Sequence, residues 1–385
     1  MKIIIYCYTP FQCITALAIK YKFYSNERVD IIIEDSIQNR KIIGENILIN
    51  NLFSKVYYSN KTRFFPKNKN RLRHELSRIY SYFMKYYLAN DLKLEEKYDI
   101  FITTEINCYT ESIYSKLLQL NSNLKVELMD EGYSSYTYYF KEAYLPTTLK
   151  EKIKKFPYKI LKLFNKRKLI AEETNKLYLF EPELLCWEEC PYKVVKISVD
   201  TENNKEILNQ VNKMFGITEE KIKRILQEFN TKFIFFEESF YWSIKNSKDI
   251  EIINFIAKII GKNNIIIKLH PRNLENRFIQ LGYKTSNFSE YPWEIIAFNL
   301  SYNHNKDKVF ITYSSGAALS YKFLCDKNFK TIFLYNCHEG EYYIVNPLVV
   351  KWHKKFRKKY GKDILIPKTK AELIKILKKL MVKND

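Results

Sequence analysis

Residues 2–24 read KIIIYCYTPFQCITALAIKYKFY, and the change of pattern inside this stretch decides the fold. The run Ile3-Ile4-Ile5-Tyr6 is β-branched and aromatic and short, which makes 2–8 a strand buried on both faces. Thr9 to Gln12 form a turn, and 12–24 predicts a helix with Ile14, Leu17 and Ala18 on one face. A buried strand feeding a helix through a short turn is the first half of a βαβ unit. The alternation continues with strands at 29–34, 98–103 and 124–129 and helices at 71–90 and 110–120, and residues 145–175 are basic and interrupted by proline. It starts again near Lys232: strand 232–237, helix 248–260, strand 264–269, helix 292–299, strand 308–312, helix 315–325 and strand 330–335. A closing helix spans 369–381. The fold class is therefore α/β, with two facing Rossmann-like domains, 1–228 and 229–385, a cleft between them and a C-terminal helix crossing back. No internal repeat interrupts this plan.

Composition narrows the class. The 385 residues are 46% apolar, enough for a sizeable core, so disorder and small disulfide scaffolds are excluded. Lys and Arg total 64 against 43 Asp and Glu, a net +21 that favours anionic partners. Only 8 glycines accompany 31 Tyr and 26 Phe, and neither G-x-G-x-x-G nor a Walker A loop occurs. Seven cysteines, an odd number scattered through both halves, predict a reduced, cytoplasmic protein. Cys186 and Cys190 have no neighbouring histidine and are no zinc pair. The start of the chain reads as a buried strand rather than a signal peptide. No apolar run approaches the ~20 residues of a membrane span, so any membrane contact is peripheral.

Open α/β sheets keep their ligands at the carboxyl ends of the strands. Three exits carry chemistry here. After 124–129 comes Asp130-Glu131-Gly132, two adjacent carboxylates and a scarce glycine. After 264–269 comes His270-Pro271-Arg272, where proline stops the strand beside an imidazole. After 308–312 come Ser314, Ser315 and Gly316 at a helix start, where free N–H groups and hydroxyls can hold a phosphate. Each has a plainer reading: a solvated acidic turn, a structural histidine, an ordinary helix cap. Together they describe a nucleotide-sugar site.

Asp130-Glu131-Gly132, His270-Pro271 and Ser314-Ser315 resemble the three short motifs of bacterial sialyltransferases. The stretch Cys7-Tyr8-Thr9-Pro10-Phe11-Gln12, the His270-Pro271-Arg272 step and Ser315-Gly316-Ala317-Ala318-Leu319 resemble, more specifically, glycosyltransferase family 52. The resemblance implies a GT-B fold and inverting transfer of sialic acid from CMP-sialic acid to a terminal galactose of a capsule or lipooligosaccharide, without a metal or other cofactor. A carboxylate would serve as base, worth on the order of 10²–10⁴-fold. His270 would hydrogen-bond or protonate the departing phosphate, with Ser314, Ser315 and the helix start holding its oxygens. Glu294, in Tyr291-Pro292-Trp293-Glu294, would bind the ribose of CMP, and Thr9 and Gln12 would contact ligand. Helix-start chemistry accounts for these three equally well. The family's candidate base is an aspartate after the first strand of the second domain, but here that loop reads Phe235-Phe236-Glu237-Glu238-Ser239. Glu238 or Asp130 then stands first as base, with Glu131 third.

The excess charge concentrates in Lys61–Arg73, Lys150–Lys168 and Lys351–Lys362. Such runs suit peripheral docking on the anionic inner face of a plasma membrane, where a lipid-linked glycan acceptor would be met. A homodimer is compatible with the sequence. The rivals are a polysialyltransferase and a UDP-sugar hexosyltransferase of the same fold. A nucleic-acid-binding protein is a third, but nucleic acid is not expected as a partner, because no recognition motif for it is present.

Overall fold

The computed structural model describes residues 1–64, 87–137, 168–187, 189–197, 201–238, 249–271, 273, 275–303, 308–325, 329–337 and 347–382. The chain divides into two compact units, Met1–Ile217 and Thr218–Asp385. The first unit is built on β1 (Lys2–Cys7), β2 (Arg28–Glu34), β3 (Val56–Ser59), β4 (Ile100–Thr103), β5 (Lys125–Met129), β6 (Thr174–Leu179) and β7 (Lys193–Lys196), in the order β3-β2-β1-β4-β5-β6-β7. The second is built on β8 (Phe233–Phe236), β9 (Ile265–Lys268), β10 (Lys284–Thr285), β11 (Val309–Thr312), β12 (Lys330–Phe333) and β13 (Ile364–Leu365), in the order β10-β9-β8-β11-β12-β13. Among the described residues every pairing in both sheets is parallel. The strand order reverses between β1 and β4 in one sheet and between β8 and β11 in the other, and ligand crevices open at such reversals.

The central strands are mostly apolar because helices cover both faces of a parallel sheet. β4, β8, β9 and β11 are buried at every position. The first helix, Pro10–Phe23, begins two residues earlier than its apolar pattern suggests. Thr9 caps it, Pro10 supplies a preset first turn, and Thr9 and Gln12 close a capping box. Helices Cys108–Leu120, Asp249–Ile260, Trp293–Asn303, Ala317–Cys325 and Lys370–Met381 lie within a few residues of their expected places. The closing helix buries Leu373 and Leu377 in the second unit's core beside Ile253, Ile256 and Ile260. Of the helix expected at 71–90, residues 71–86 lie outside the described residues, and Tyr87–Ala89 is a 3₁₀ turn. Most of the basic stretch 145–175 lies outside them as well.

Helix Pro347–Tyr360 buries Val349, Trp352, His353 and Phe356 and exposes Lys351, Lys354, Arg357, Lys358 and Lys359. His353 is fully buried, its ring stacked 3.9 Å from that of Phe333, and neither ring nitrogen has a hydrogen-bond partner. Burial disfavours the imidazolium and lowers the pKa from 6.5 to about 3. The unfolded chain thus binds a proton below pH 6.5 that the folded chain refuses, so this group's effect is to reduce stability as pH falls from 6.5 toward 3. Between pH 7.5 and 5 the expected loss is about 2 kcal/mol. Urea unfolding of wild type and His353→Phe at both pH values checks this, because the variant should lack that increment.

Candidate functional site

Four strand exits of the first unit meet at its reversal point. β5 ends in Asp130-Glu131-Gly132, and Gly132 has φ +94°, a left-handed conformation that a side chain resists. That turn sends the two neighbouring carboxylates into different surroundings. Asp130 is fully buried and spends both oxygens internally. Oδ1 accepts the Gly132 N–H at 2.7 Å, and Oδ2 accepts the Phe180 N–H at 3.1 Å and the Tyr136 hydroxyl. Burial raises its pKa to about 6 against the opposing pull of these bonds. Asp130 therefore ties β5 to the end of β6 and to helix Tyr133–Thr137.

Glu131 is different. Its backbone N–H donates to Ser135 Oγ at 2.7 Å, and its Oε2 is buried without a hydrogen-bond partner. Burial lifts the carboxyl to about 7; a Tyr8 hydrogen bond and the Lys61 cation oppose the rise, while Glu105 and Asp130 add to it. Two more carboxylates share this edge. Glu34, the last residue of β2, is buried and accepts the Tyr6 hydroxyl, and burial, with help from Glu105, raises it to about 7 against Lys61. Glu105, just past β4, lies 2.7 Å from Lys61 Nζ and accepts the Asn107 amide at 2.6 Å. Lys61 Nζ is also 3.4 Å from Glu34 and 5.3 Å from the centre of the Tyr8 ring. Three glutamates around one lysine, two of them near neutrality, form a cluster that can take up or release a proton near pH 7.

Gln12 and Thr9 belong to this edge through the backbone. Gln12 Oε1 accepts the N–H groups of Tyr8 at 2.7 Å and Thr9 at 3.2 Å, and Thr9 Oγ1 accepts the Gln12 N–H at 3.3 Å. The hydrogen bonds they make are those of a helix cap, and Gln12 Nε2 remains buried and unpartnered.

The second unit presents its own set. Glu238, just past β8, spans the reversal point: its Oε1 accepts the Thr312 hydroxyl and the Ser314 N–H, each at 2.8 Å. Burial pushes its pKa up, opposed by these bonds and by the Ser315 amide. Ser315 N–H in turn donates to Thr312 Oγ1 at 3.0 Å, and Ser315 Oγ accepts the Ala317 N–H at 3.4 Å, with Gly316 between them opening helix Ala317–Cys325. The Ser314 amide read from sequence as a phosphate ligand is thus engaged by the protein's own carboxylate.

His270 and Pro271 follow β9, the neighbour of β8. The His270 N–H donates to Glu237 Oε2 at 2.9 Å, and its carbonyl accepts the Asn273 N–H at 3.0 Å. Arg272 lies outside the described residues. Glu294 opens helix Trp293–Asn303, raised by burial and held down by Lys268. Lys268, the last residue of β9, is buried, donates to the Ser289 carbonyl at 3.2 Å and is lowered to about 8 by burial. Among the described residues, each unit therefore gathers its predicted site residues at one sheet edge. Sequence reasoning passed over Glu34, Lys61, Glu105, Glu237, Lys268 and Arg277. The strand-exit rule would have found Glu34 and Glu105; no local pattern marks Arg277.

No family model matches the chain, and no curated protein matches it. Solved structures do. The chain is similar over 100% of its length, and 94% of the other's, to Methanocaldococcus jannaschii UDP-GlcNAc 2-epimerase in complex with UDP-GlcNAc and UDP, with a TM-score of 0.55 and 15% identity. It is similar to Arabidopsis thaliana UGT89C1 complexed with UDP over 100% of its own length and 91% of that chain, with a TM-score of 0.54 and 8% identity. The kitacinnamycin glycotransferase gives 0.53 and 7% over 99% and 91%. At these identities the likeness is one of fold: two parallel α/β sheets in series, the GT-B type.

Proposed function

We propose that the protein is a glycosyltransferase that moves a sugar from a nucleotide donor to a glycan hydroxyl, with Glu131 as general base. The observation that carries this reading is Glu131 itself: a carboxyl near neutrality, one oxygen unpartnered, at the head of a parallel sheet where ligands bind. A base must be ionised at working pH yet basic enough to accept a proton, and a pKa of about 7 meets both demands. Asp130, with both oxygens bonded, acts as scaffold. The fold supports a nucleotide-sugar donor, since two of the similar structures hold UDP. The sequence motifs Asp130-Glu131-Gly132, His270-Pro271 and Ser314-Ser315 favour the finer reading: inverting transfer from CMP-sialic acid to a galactose-terminated acceptor, independent of metal. In that reading the second unit, with His270, Ser314, Ser315, Gly316 and Glu294, takes the nucleotide. Phosphate oxygens would compete with the Glu238 carboxylate for the Ser314 amide, so Glu238 serves there as a displaceable anion.

A second reading, a UDP-hexose donor, is favoured by the UDP in those structures. Incubating the protein in EDTA with a lactose acceptor and, separately, CMP-sialic acid or UDP-hexoses separates the two. The expected result is CMP release that falls at least tenfold in His270→Ala. Consumption of UDP-hexose with no CMP release replaces the donor and keeps the class, and turnover of neither overturns both.

Among the described residues no helix is long and apolar enough to cross a membrane. The cationic face of helix Pro347–Tyr360 supports docking on an anionic surface. Cosedimentation should then be greater with anionic than with neutral vesicles, and equal recovery rejects docking.

A further inference from the structure

We infer that Arg277, a residue outside every motif, is a positioning residue that sets the His270 turn for the reaction. The inference rests on the reading of His270 as the group that meets the donor's phosphate. Arg277 Nη2 lies 2.6 Å from Glu237 Oε1 and 2.6 Å from Asp249 Oδ2, and Nη1 lies 3.3 Å from Asp249 Oδ1. Both carboxylate side chains are fully shielded from solvent, whereas the arginine side chain is 27% exposed. Burial disfavours the guanidinium charge, but the two carboxylates outweigh it and raise the pKa. A buried carboxylate without its partner costs several kcal/mol, so the ion triad is held as one unit.

That unit reaches the site through Glu237. Its second oxygen, Oε2, accepts the His270 N–H, while the Glu237 N–H donates to the Lys268 carbonyl at 3.1 Å. The exits of β8 and β9 are thereby laced together. Asn273 completes the lacing from the other side, its N–H on the His270 carbonyl and its amide on the Glu238 carbonyl, both at 3.0 Å. Asp249 anchors the arrangement to the first turn of helix Asp249–Ile260, a rigid element. His270 is thus held at its backbone on both sides, and Pro271 restricts the chain beyond it. Rotating the Glu237 carboxylate moves the peptide that carries the imidazole. An ångström of misplacement in a catalytic group can cost about 10²-fold in rate.

The guanidinium fork is what holds Glu237 and Asp249 simultaneously. Lysine keeps the charge and loses the fork. Arg277→Lys should retain the fold, seen by circular dichroism and an unfolding midpoint close to wild type, while kcat for donor turnover falls about 10–100-fold. KM for donor should change less than kcat. In a His270→Ala background the same substitution should lower turnover by less than about threefold, because its effect is spent through His270. Glu237→Gln, which keeps an acceptor for the His270 N–H, should lose less than Glu237→Ala. Loss of the same factor with and without His270 overturns the inference, as does unchanged kcat in folded Arg277→Lys. If His270→Ala alone turns over like wild type, the reading of the site falls first, and the inference with it.

Discussion

Glu131→Gln should lower kcat for sugar transfer by about 10²–10⁴-fold while leaving folding intact, the range expected when a positioned general base is removed. The amide is nearly isosteric and keeps the Tyr8 contact, but it cannot accept a proton. In the wild type, activity should rise with pH through about 7 as the carboxyl ionises. Lys61 sits over Tyr8 and between Glu34 and Glu105, and its charge holds Glu131 down. Lys61→Met should therefore move the acid limb of the profile to higher pH, leaving less active enzyme at pH 7 and recovering it at pH 8 or above. A pH–rate profile of kcat for the three proteins checks both claims. Full activity in Glu131→Gln removes it as base and returns the role to Glu238, whose Oε1 is already engaged.

One residue earlier in the chain the expectation is opposite in kind. Asp130→Ala should destabilise the first unit by about 3–5 kcal/mol, because it strands three donors inside the protein: the Tyr136 hydroxyl and the N–H groups of Gly132 and Phe180. Each is expected to cost about 1–3 kcal/mol when left unmade in a dry site. Urea unfolding followed by circular dichroism would show an early transition from the weakened unit. Asp130→Asn keeps acceptor oxygen but turns an NH2 group toward a donor, so it should fall between wild type and alanine. Wild-type stability in Asp130→Ala would mean that water reaches this turn, contrary to its complete burial. The two adjacent carboxylates are thus separable, one by rate and one by stability.

How much of this was legible beforehand follows from how local each signal is. Ile3–Tyr6, Ile265–Ile267 and Val309–Ile311 announce buried parallel strands, because a strand covered by helices on both sides is mostly apolar. Strands β3, β6, β7, β10 and β13 went unread: four of them have only two to four residues, too few to carry periodicity, and β6 opens on the polar Thr174-Asn175-Lys176. Helices Arg40–Ile49, Thr201–Phe215, Glu219–Glu228 and Pro347–Tyr360 also went unread. The last alternates cations with its buried face.

The site divides along the same line. Strand exits can be located from sequence because each is one step from a recognisable strand, so Asp130-Glu131, Glu238, His270 and Ser314-Ser315 could be named as candidates. Their roles could not, because a carboxylate's pKa and freedom depend on groups far along the chain. Asp130 is bonded by the Phe180 N–H, 50 residues away, and Glu131 is tuned by Lys61 and Glu105. Glu238 is engaged by Thr312 and Ser314, 74 and 76 residues on. The sequence alone determined the βα alternation, the two-sheet plan and the exits at which chemistry gathers, all consequences of hydrophobic periodicity within a few residues. Only the tertiary structure decided which carboxylate is bonded, which has an oxygen to spare and which arginine holds the histidine turn. Desolvation and hydrogen bonding act through space, and only the folded chain brings those partners within reach.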